Sequence, residues 1–200
     1  MSIPDETNPY KLFQAWFSEA EECEAIKEPT AMTLATADAE GMPSARVVLL
    51  KGYDEKGFVF YTNLGSEKVR HITDNPKAAL CFYWMPLDKQ IRIEGTVQPV
   101  SEEEADAYFA SRPRESQIGA WASRQSEPMP HKFSLEKRVV QFGLKFGIAK
   151  VPRPDFWSGF RLEAHRIEFW LKQPYRLHQR VRYIATGQTT EAWTHQRLYP

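Results

Sequence analysis

The sequence predicts a mainly β protein in which an antiparallel β-barrel carries an N-terminal helix and further inserted helices. The 200-residue chain is long enough for one domain with a substantial core, and we expect residues 1–200 to form a single domain. About eight strand-like segments follow one another, mostly as hairpins, which is typical of such barrels. The sequence has no G-x-G-x-x-G motif, P-loop or βαβ rhythm, so a Rossmann or Walker-type nucleotide site is not expected.

The N-terminal part of the chain predicts one amphipathic helix. Residues 1–7 are polar, and we expect them to be flexible. Asn8 followed by Pro9 is typical of a helix N-cap and a first helical position. Apolar residues then recur at helical spacing, which predicts a helix over residues 8–25 whose Trp and Phe side chains pack in the core.

Strand-like segments make up most of the remaining chain. Apolar runs separated by turn-forming residues predict strands over residues 32–37, 45–52, 58–62, 78–84, 90–100, 160–171, 176–184 and 191–198. Helices are predicted after the N-cap residues Ser66 and Ser101, ending near Asn75 and Ser111, and again over residues 133–146. Residues 112–130 predict a polar connection interrupted by prolines.

Composition limits the classes of partner. The 26 Lys and Arg balance the 26 Asp and Glu, which argues against binding to nucleic acid or to a membrane surface. A bound anion must therefore meet a local cluster of cations. Cys23 and Cys81 show neither metal-ligand spacing nor a disulfide framework, so no metal is expected. No signal-like segment or membrane-length apolar run is present, which predicts a cytoplasmic protein.

Residues 167–182 predict a hairpin that is rich in cationic groups. Two strand-like runs flank Gln173-Pro174, a turn signal. Alternate residues of an extended chain share a face, which places Arg176, His178 and Arg180 side by side. Because unpaired charge is costly to bury, this face is either solvated or in contact with an anionic ligand. The segment alone leaves both interpretations open.

Arg46 and Lys51 lie at the two ends of an apolar strand. Both are compatible with ordinary solvent-facing strand ends. Their odd separation places them on opposite faces of a regular strand, so they meet one ligand only through a bulge or a partner subunit.

Two further segments carry groups suited to phosphate. Thr62, Ser66 and Lys68 lie where a strand runs into a helix start, whose free N–H groups attract anions. Tyr108 and Arg112 share a helix face, with Ser116 beyond them. Arg112 is equally compatible with a solvated helix C-terminus. No nucleophile–base arrangement is recognisable, so hydrolysis is not expected.

Taken together, these segments resemble the pyridoxamine 5′-phosphate oxidase family. The resemblance covers roughly residues 30–200 and rests on RVVLLK (46–51), YTNLGS (61–66), YFASRPRESQIGAW (108–121), RQS (124–126), FWSGFR (156–161), IEFW (167–170), RLH (176–178) and RLYP (197–200). It implies a homodimeric split β-barrel that binds FMN at the subunit interface. It also implies oxidation of pyridoxine or pyridoxamine 5′-phosphate to pyridoxal 5′-phosphate, with O2 reduced to H2O2.

The resemblance also implies roles for individual residues. The residues implied to hold FMN are Arg46, Val47, Val48, Leu49, Leu50, Lys51, Tyr61, Thr62, Lys68, Gln90, Gln125, Ser126, Trp170 and Arg180. Those implied to hold the substrate are Lys51, Tyr108, Arg112 and Ser116 at its phosphate, and Arg176, Leu177 and His178 at its pyridine ring. Arg176 and His178 are the implied catalytic residues: Arg176 positions and polarises the substrate, and His178 orients it or handles a proton. The substrate C4′ is expected to stack over flavin N5 and to pass a hydride.

Two features depart from the family pattern. Glu67 stands where the family usually has arginine or another non-acidic residue beside the FMN phosphate. A carboxylate suits the helix dipole but repels a dianion, so we expect FMN binding to be weaker by roughly 1.5–3 kcal/mol. Residues 1–7 also take the place of a basic segment that can cover the substrate in relatives, a departure that concerns lid closure rather than the reaction.

Two other functions compete with the oxidase. A flavin oxidase of a different ring substrate, such as a phenazine-pathway enzyme, has no need of the phosphate-binding set. A non-catalytic split-barrel protein that carries flavin or haem has no need of Arg176 and His178. A role as a pyridoxal phosphate carrier is compatible with catalysis. We therefore expect the oxidase.

Overall fold

The computed structural model of the chain describes residues 2–186 and 192–200. Its helices are α1 (Pro9–Glu22), α2 (Glu67–Asp74), α3 (Glu102–Ser111), α4 (Arg114–Ala122) and α5 (Ser134–Phe146). Its strands are β1 (Ala31–Ala37), β2 (Pro43–Leu49), β3 (Gly52–Asp54), β4 (Gly57–Asn63), β5 (Lys77–Trp84), β6 (Lys89–Pro99), β7 (Trp157–Leu171), β8 (Gln179–Ala185) and β9 (Trp193–Leu198). Within these described ranges, no helix has the length and apolar character needed to cross a membrane.

The described strands form one antiparallel sheet that divides at β7. The strand order is β2-β1-β5-β6-β7-β4-β3, with β8 paired to β7 and β9 paired to β8. One edge of β7 pairs with β6, whereas its other edge pairs with β4 over residues 157–162 and with β8 over residues 166–171. The fold class predicted from the sequence, a mainly β split barrel with inserted helices, is confirmed.

A β-bulge in β7, at His165, bends the sheet close to this division. The register between β6 and β7 shifts between Glu94 and Gly95. A Cβ atom at Gly95 would lie 1.8 Å from the carbonyl oxygen of Glu163, so only glycine fits there.

Helix α1 fills the inside of the curled sheet. The ring of Phe13 lies 4.8 Å from Tyr53, 4.9 Å from Phe58 and 5.4 Å from Phe82, measured between centroids. Tyr53 and Phe58 belong to the neighbouring strands β3 and β4, whereas Phe82 belongs to β5, which is separated from β4 by β6 and β7. The sheet must therefore curl around the helix. The Asn8 side chain accepts a hydrogen bond from the backbone N–H of Tyr10 at 2.9 Å, as the N-cap prediction requires.

The residues before α1 are packed, which differs from the flexible segment predicted over residues 1–7. Residue 1 lies outside the described residues. Ile3 is 2% exposed, and its N–H donates to Oε1 of Gln179 at 2.9 Å. The Tyr183 hydroxyl donates to the carbonyl oxygen of Glu6 at 2.6 Å. The segment is thus held by β8, through contacts that leave no periodic pattern in the sequence.

Several helices and strands begin or end at residues other than those predicted. Helix α4 lies within the predicted polar connection, because Pro113 precedes a helix as its N-cap residue instead of only ending one. The predicted strand 45–52 is divided into β2 and β3, which gives one strand more than the eight expected. The predicted strand 176–184 begins only at Gln179, and residue 191 of the last predicted strand lies outside the described residues.

Candidate active site

A pocket of about 530 Å³ opens between β2, β4, the start of α2 and the end of α3. Its lining residues are Arg46, Val47, Val48, Leu49, Lys51, Tyr61, Thr62, Glu67, Lys68, Tyr108, Arg112, Gln125, Ser126 and Trp157. Apart from Glu67 and Trp157, all are residues that the sequence assigns to the cofactor or the substrate. Among these described residues, four side chains are cationic and one is a carboxylate, so the pocket is suited to an anion.

Arg46 is held in place by uncharged acceptors. Its Nη1 donates to the carbonyl oxygens of Leu34 and Ser44 at 3.3 and 3.1 Å and to Oγ1 of Thr36 at 2.7 Å. Its Nη2 donates to Oγ of Ser44 at 2.7 Å. Burial lowers the pKa of Arg46, as desolvation does for a cation. These bonds fix the guanidinium at the pocket wall and leave its charge available to a ligand.

Lys68 is a buried cation at the start of α2. Its Nζ donates to Oγ1 of Thr62 at 3.2 Å, and that hydroxyl donates to Oε1 of Gln125 at 3.1 Å. Burial and, next, the nearby Arg46 lower the pKa of Lys68. A cation, a hydroxyl and a helix N-terminus thus meet at one point, which is the arrangement expected of a phosphate site.

The break between β2 and β3 brings Lys51 into the same pocket as Arg46. Strand β2 ends at Leu49, the side chain of Leu50 enters the core at 3% exposure, and the Lys51 N–H donates to the carbonyl oxygen of Val59 at 2.9 Å. The opposite faces predicted for Arg46 and Lys51 require a regular strand. Because the strand is interrupted, both side chains line one pocket.

Arg112 lies against an aromatic stack. The rings of Tyr61 and Tyr108 are 4.0 Å apart, Trp157 lies 5.2 Å from Tyr61, and the Arg112 guanidinium lies 4.8 Å from the Trp157 ring. Burial raises the pKa of Tyr61 to about 12 and lowers the pKa of Arg112. Nη1 of Arg112 is buried and has no hydrogen-bond partner among the residues that the structure describes. A buried donor of this kind indicates a ligand that the pocket is built to accept.

The other predicted residues lie outside this pocket. Ser116 lies on α4, half-buried. Leu50 is buried in the core. The remaining six form a group at the far end of β7, here called the outer cluster: Gln90, Trp170, Arg176, Leu177, His178 and Arg180. In this group Gln90 pairs with Trp170 across β6 and β7, and Trp170 pairs with Arg180 across β7 and β8. The His178 ring lies 4.7 Å from Trp170, and its Nδ1 accepts from the Gln173 N–H at 3.1 Å.

The strand face predicted for Arg176, His178 and Arg180 is wrong. Arg176 belongs to a 3₁₀ turn, and β8 begins only at Gln179, so strand alternation does not apply to Arg176 and His178. Tyr175 and Arg176 have φ values of 58° and 61°. Two consecutive left-handed residues that are not glycine are a strained arrangement of the kind found at functional sites.

The pocket and the outer cluster are far apart in one chain. Trp157 lines the pocket at the start of β7, and Trp170 belongs to the outer cluster near its end. Measured along the strand, this separation is on the order of 40 Å. The same chain therefore does not bring both groups to one small ligand.

The split barrel and its cationic, aromatic-lined pocket define a split-barrel protein with a site for an anionic, aromatic ligand. Two family models describe nearly the whole chain: residues 19–146 match that of pyridoxamine 5′-phosphate oxidase, and residues 157–200 match that of the pyridoxine 5′-phosphate oxidase C-terminal dimerisation region. The chain belongs to the pyridoxamine 5′-phosphate oxidase family, and the resemblance noted in the sequence is confirmed.

Known relatives agree over the full length. The chain is 54% identical over 195 residues to a pyridoxine/pyridoxamine 5′-phosphate oxidase of Caulobacter vibrioides, covering 98% of this chain and 86% of the relative. It is 52% identical to the enzyme of that name from Rhodospirillum rubrum, with 100% of both chains covered.

Two solved structures share the fold. PhzG from Burkholderia lata 383, solved with tetrahydrophenazine-1-carboxylic acid, superposes with a TM-score of 0.90 at 33% identity, covering 98% of this chain and 94% of that one. A pyridoxamine 5′-phosphate oxidase-related, FMN-binding protein from Nostoc punctiforme superposes with a TM-score of 0.78 at 16% identity, covering 98% and 100%.

Sequence reasoning overlooked Trp157 as a pocket residue. It lies inside the FWSGFR segment that carries the resemblance, which was the available signal. Its place under Arg112 depends on how β7 meets α3, and no local pattern encodes that contact.

Proposed function

We propose that this chain oxidises pyridoxine 5′-phosphate or pyridoxamine 5′-phosphate to pyridoxal 5′-phosphate, with FMN as its cofactor and O2 as the electron acceptor that becomes H2O2. The observation that carries the proposal is the pocket itself, in which four cations face one carboxylate. A phosphorylated cofactor and a phosphorylated substrate together account for so many cations in a chain of zero net charge.

The residues present fit two phosphate groups at separate points of the pocket. Arg46, Lys68 and the start of α2 form one cationic group, suited to the FMN phosphate. Arg112, with its unpartnered Nη1, and Tyr108 form the other, suited to the substrate phosphate. Lys51 lies in the same pocket and belongs to both sets in our assignment.

Arg46, Lys68 and the start of α2 would hold FMN, whose flavin would supply the hydride acceptor for the substrate and the electrons for O2. The chain supplies binding and orientation. Because Nδ1 of His178 accepts a hydrogen bond from the Gln173 N–H, a neutral His178 ring carries its proton on Nε2. That proton can be donated to the substrate. Arg176 is exposed on its strained turn, where its guanidinium is free to approach the pyridine ring.

The match to a C-terminal dimerisation region indicates a homodimer. We infer that the outer cluster of one subunit completes the pocket of the other, so that FMN lies at the interface. The separation of the two groups along β7 supports this arrangement, since both sets are needed at one cofactor. It explains why Lys68 in the pocket and Trp170 in the outer cluster carry one predicted role.

A second candidate is an oxidase of another ring substrate, because PhzG shares the fold at a TM-score of 0.90. A ring carboxylate can accept from Nη1 of Arg112, but its single charge matches the four cations of the pocket less well than a phosphate dianion does. The phosphorylated substrate is therefore the better fit.

An aerobic assay tests the proposal. Purified protein with added FMN is mixed with pyridoxine 5′-phosphate, and aldehyde and peroxide are followed together. We expect the two products in equal amounts. Bound flavin without turnover would indicate another ring substrate or a carrier role, and failure to bind flavin would overturn the proposal.

Glu67 is expected to weaken FMN binding. Its side chain is 53% exposed and lines the pocket beside Arg46 and Lys68, while its backbone N–H donates to Oγ of Ser126 at 3.3 Å. We expect Glu67→Arg to tighten FMN binding about tenfold, because a repulsion is replaced by a charge-assisted contact that is partly screened by solvent. Titration of the apoprotein with FMN measures the change.

The matched control for Glu67→Arg is Asp74→Arg, which makes the same charge change at the exposed far end of α2. Its dissociation constant for FMN should stay within about twofold of the native value, because solvent and salt screen a distant exposed charge. Equal tightening by both variants would show a general charge effect and would refute the role given to Glu67.

A further inference from the structure

Glu168 is a buried carboxylate on the same face of the sheet as Trp170. It is 4% exposed, although its neighbours on this face of β7 are more open. Its Oε1 accepts from Nε and Nη2 of Arg180 at 3.0 and 2.7 Å. Its Oε2 accepts from Nε and Nη2 of Arg182 at 3.1 and 2.9 Å. Each carboxylate oxygen therefore accepts two charge-assisted hydrogen bonds from one arginine.

These bonds fix the direction of the Arg180 guanidinium. Two of its nitrogens donate to Glu168, and Nη1 donates to the carbonyl oxygen of Tyr199 at 3.0 Å. An arginine carries five N–H groups, so one N–H remains on each terminal nitrogen for a ligand. Glu168 also offsets part of the positive charge of Arg180 and Arg182. Arg180 is thus presented as an oriented donor.

We propose that Glu168 is a positioning residue that holds Arg180 in the orientation needed to bind FMN across the subunit interface, and so sets the affinity for the cofactor. The inference rests on the proposed function for the identity of the cofactor. Glu168 is outside the predicted cofactor set, to which Arg180, Trp170 and Gln90 belong. In the register of the sheet Glu168 lies opposite Arg182, yet it also reaches diagonally to Arg180, which belongs to the row that these three residues form across β6, β7 and β8.

Glu94 provides a matched control within the same sheet. Its carboxylate also accepts from two arginines, from Nη2 of Arg92 at 2.5 Å and from Nη1 of Arg166 at 2.7 Å. Neither arginine belongs to the pocket or to the outer cluster. Glu94→Gln therefore removes the same kind of ion pair without touching the groups assigned to FMN.

The test is a double-mutant cycle read by FMN titration of the apoprotein. We expect Glu168→Gln to weaken FMN binding by about tenfold to a hundredfold, the loss of one charge-assisted contact. The FMN dissociation constant of Glu94→Gln should stay within about twofold of the native value. In a chain that already carries Arg180→Met, Glu168→Gln should have little further effect, because the group that it positions is gone. An equal loss in the native and the Arg180→Met backgrounds would overturn the inference.

Glu168→Asp keeps the inference testable if Glu168→Gln does not fold. The shorter carboxylate retains the charge but shifts the Arg180 guanidinium toward β7. We therefore expect an FMN affinity between those of the native protein and Glu168→Gln, with the thermal unfolding temperature of the native protein. A lowered unfolding temperature with unchanged FMN affinity would show a purely structural role and overturn the inference. Native protein that binds no FMN would instead refute the proposed function, so the two failures are distinguishable.

Discussion

Replacement of Arg112 by methionine is expected to lower kcat/KM for pyridoxine 5′-phosphate by a factor of about one hundred to ten thousand. A guanidinium can form two charge-assisted hydrogen bonds to one phosphate, each contributing about 1.5–3 kcal/mol. Nη1 of Arg112 is buried and has no partner among the described residues, so the native chain holds this donor ready for the ligand. Methionine keeps the contact with Trp157 but removes every donor.

The loss should appear mainly in KM, because the phosphate does not react and its contacts are similar in the ground and transition states. FMN affinity should change little, since the FMN phosphate is assigned to Arg46 and Lys68. Arg114→Met is the matched control: Arg114 donates to the carbonyl oxygen of Ala149 at 2.8 Å and does not line the pocket. If Arg112→Met leaves KM within about threefold of the native value, or weakens FMN as much as substrate, the assignment of the substrate phosphate fails.

The elements read correctly from the sequence are those whose pattern is local. The alternation of β1 and β5 and the apolar spacing of α1 follow from burial on one face, and the structure buries those faces. Local signals were misread where a proline or a left-handed residue intervenes. Pro113 precedes α4, and the left-handed Tyr175 and Arg176 delay the start of β8.

The candidate site shows more clearly what the sequence alone cannot predict. Thr62 and Lys68 are close in sequence, and a helix-start signal alone placed them together. Gln90 and Trp170 are far apart in sequence, and they meet only because of the β6–β7 register, which pairs strands joined by three helices. Their shared role was accessible only through the resemblance to the family.

Mixing two inactive variants is expected to restore activity. One variant carries Arg112→Met in the pocket, and the other carries Arg176→Ala and His178→Ala in the outer cluster. If each site combines the pocket of one subunit with the outer cluster of the other, a mixed dimer contains one site with no substitution. After equal mixing and random reassociation, half of the dimers are mixed, so about a quarter of all sites are native. Turnover at low substrate concentration should reach about a quarter of the native rate.

The same mixture has no native site if each chain builds its own site, because every site then contains the substitutions of its own subunit, either in the pocket or in the outer cluster. Combining the two variants without allowing the subunits to exchange serves as the control and should remain inactive. The experiment depends on the geometry of β7, which carries Trp157 at the pocket and Trp170 in the outer cluster. If the pocket of one subunit and the outer cluster of the other form one site, the reaction requires the dimer. Dissociation should then abolish turnover even where each subunit stays folded.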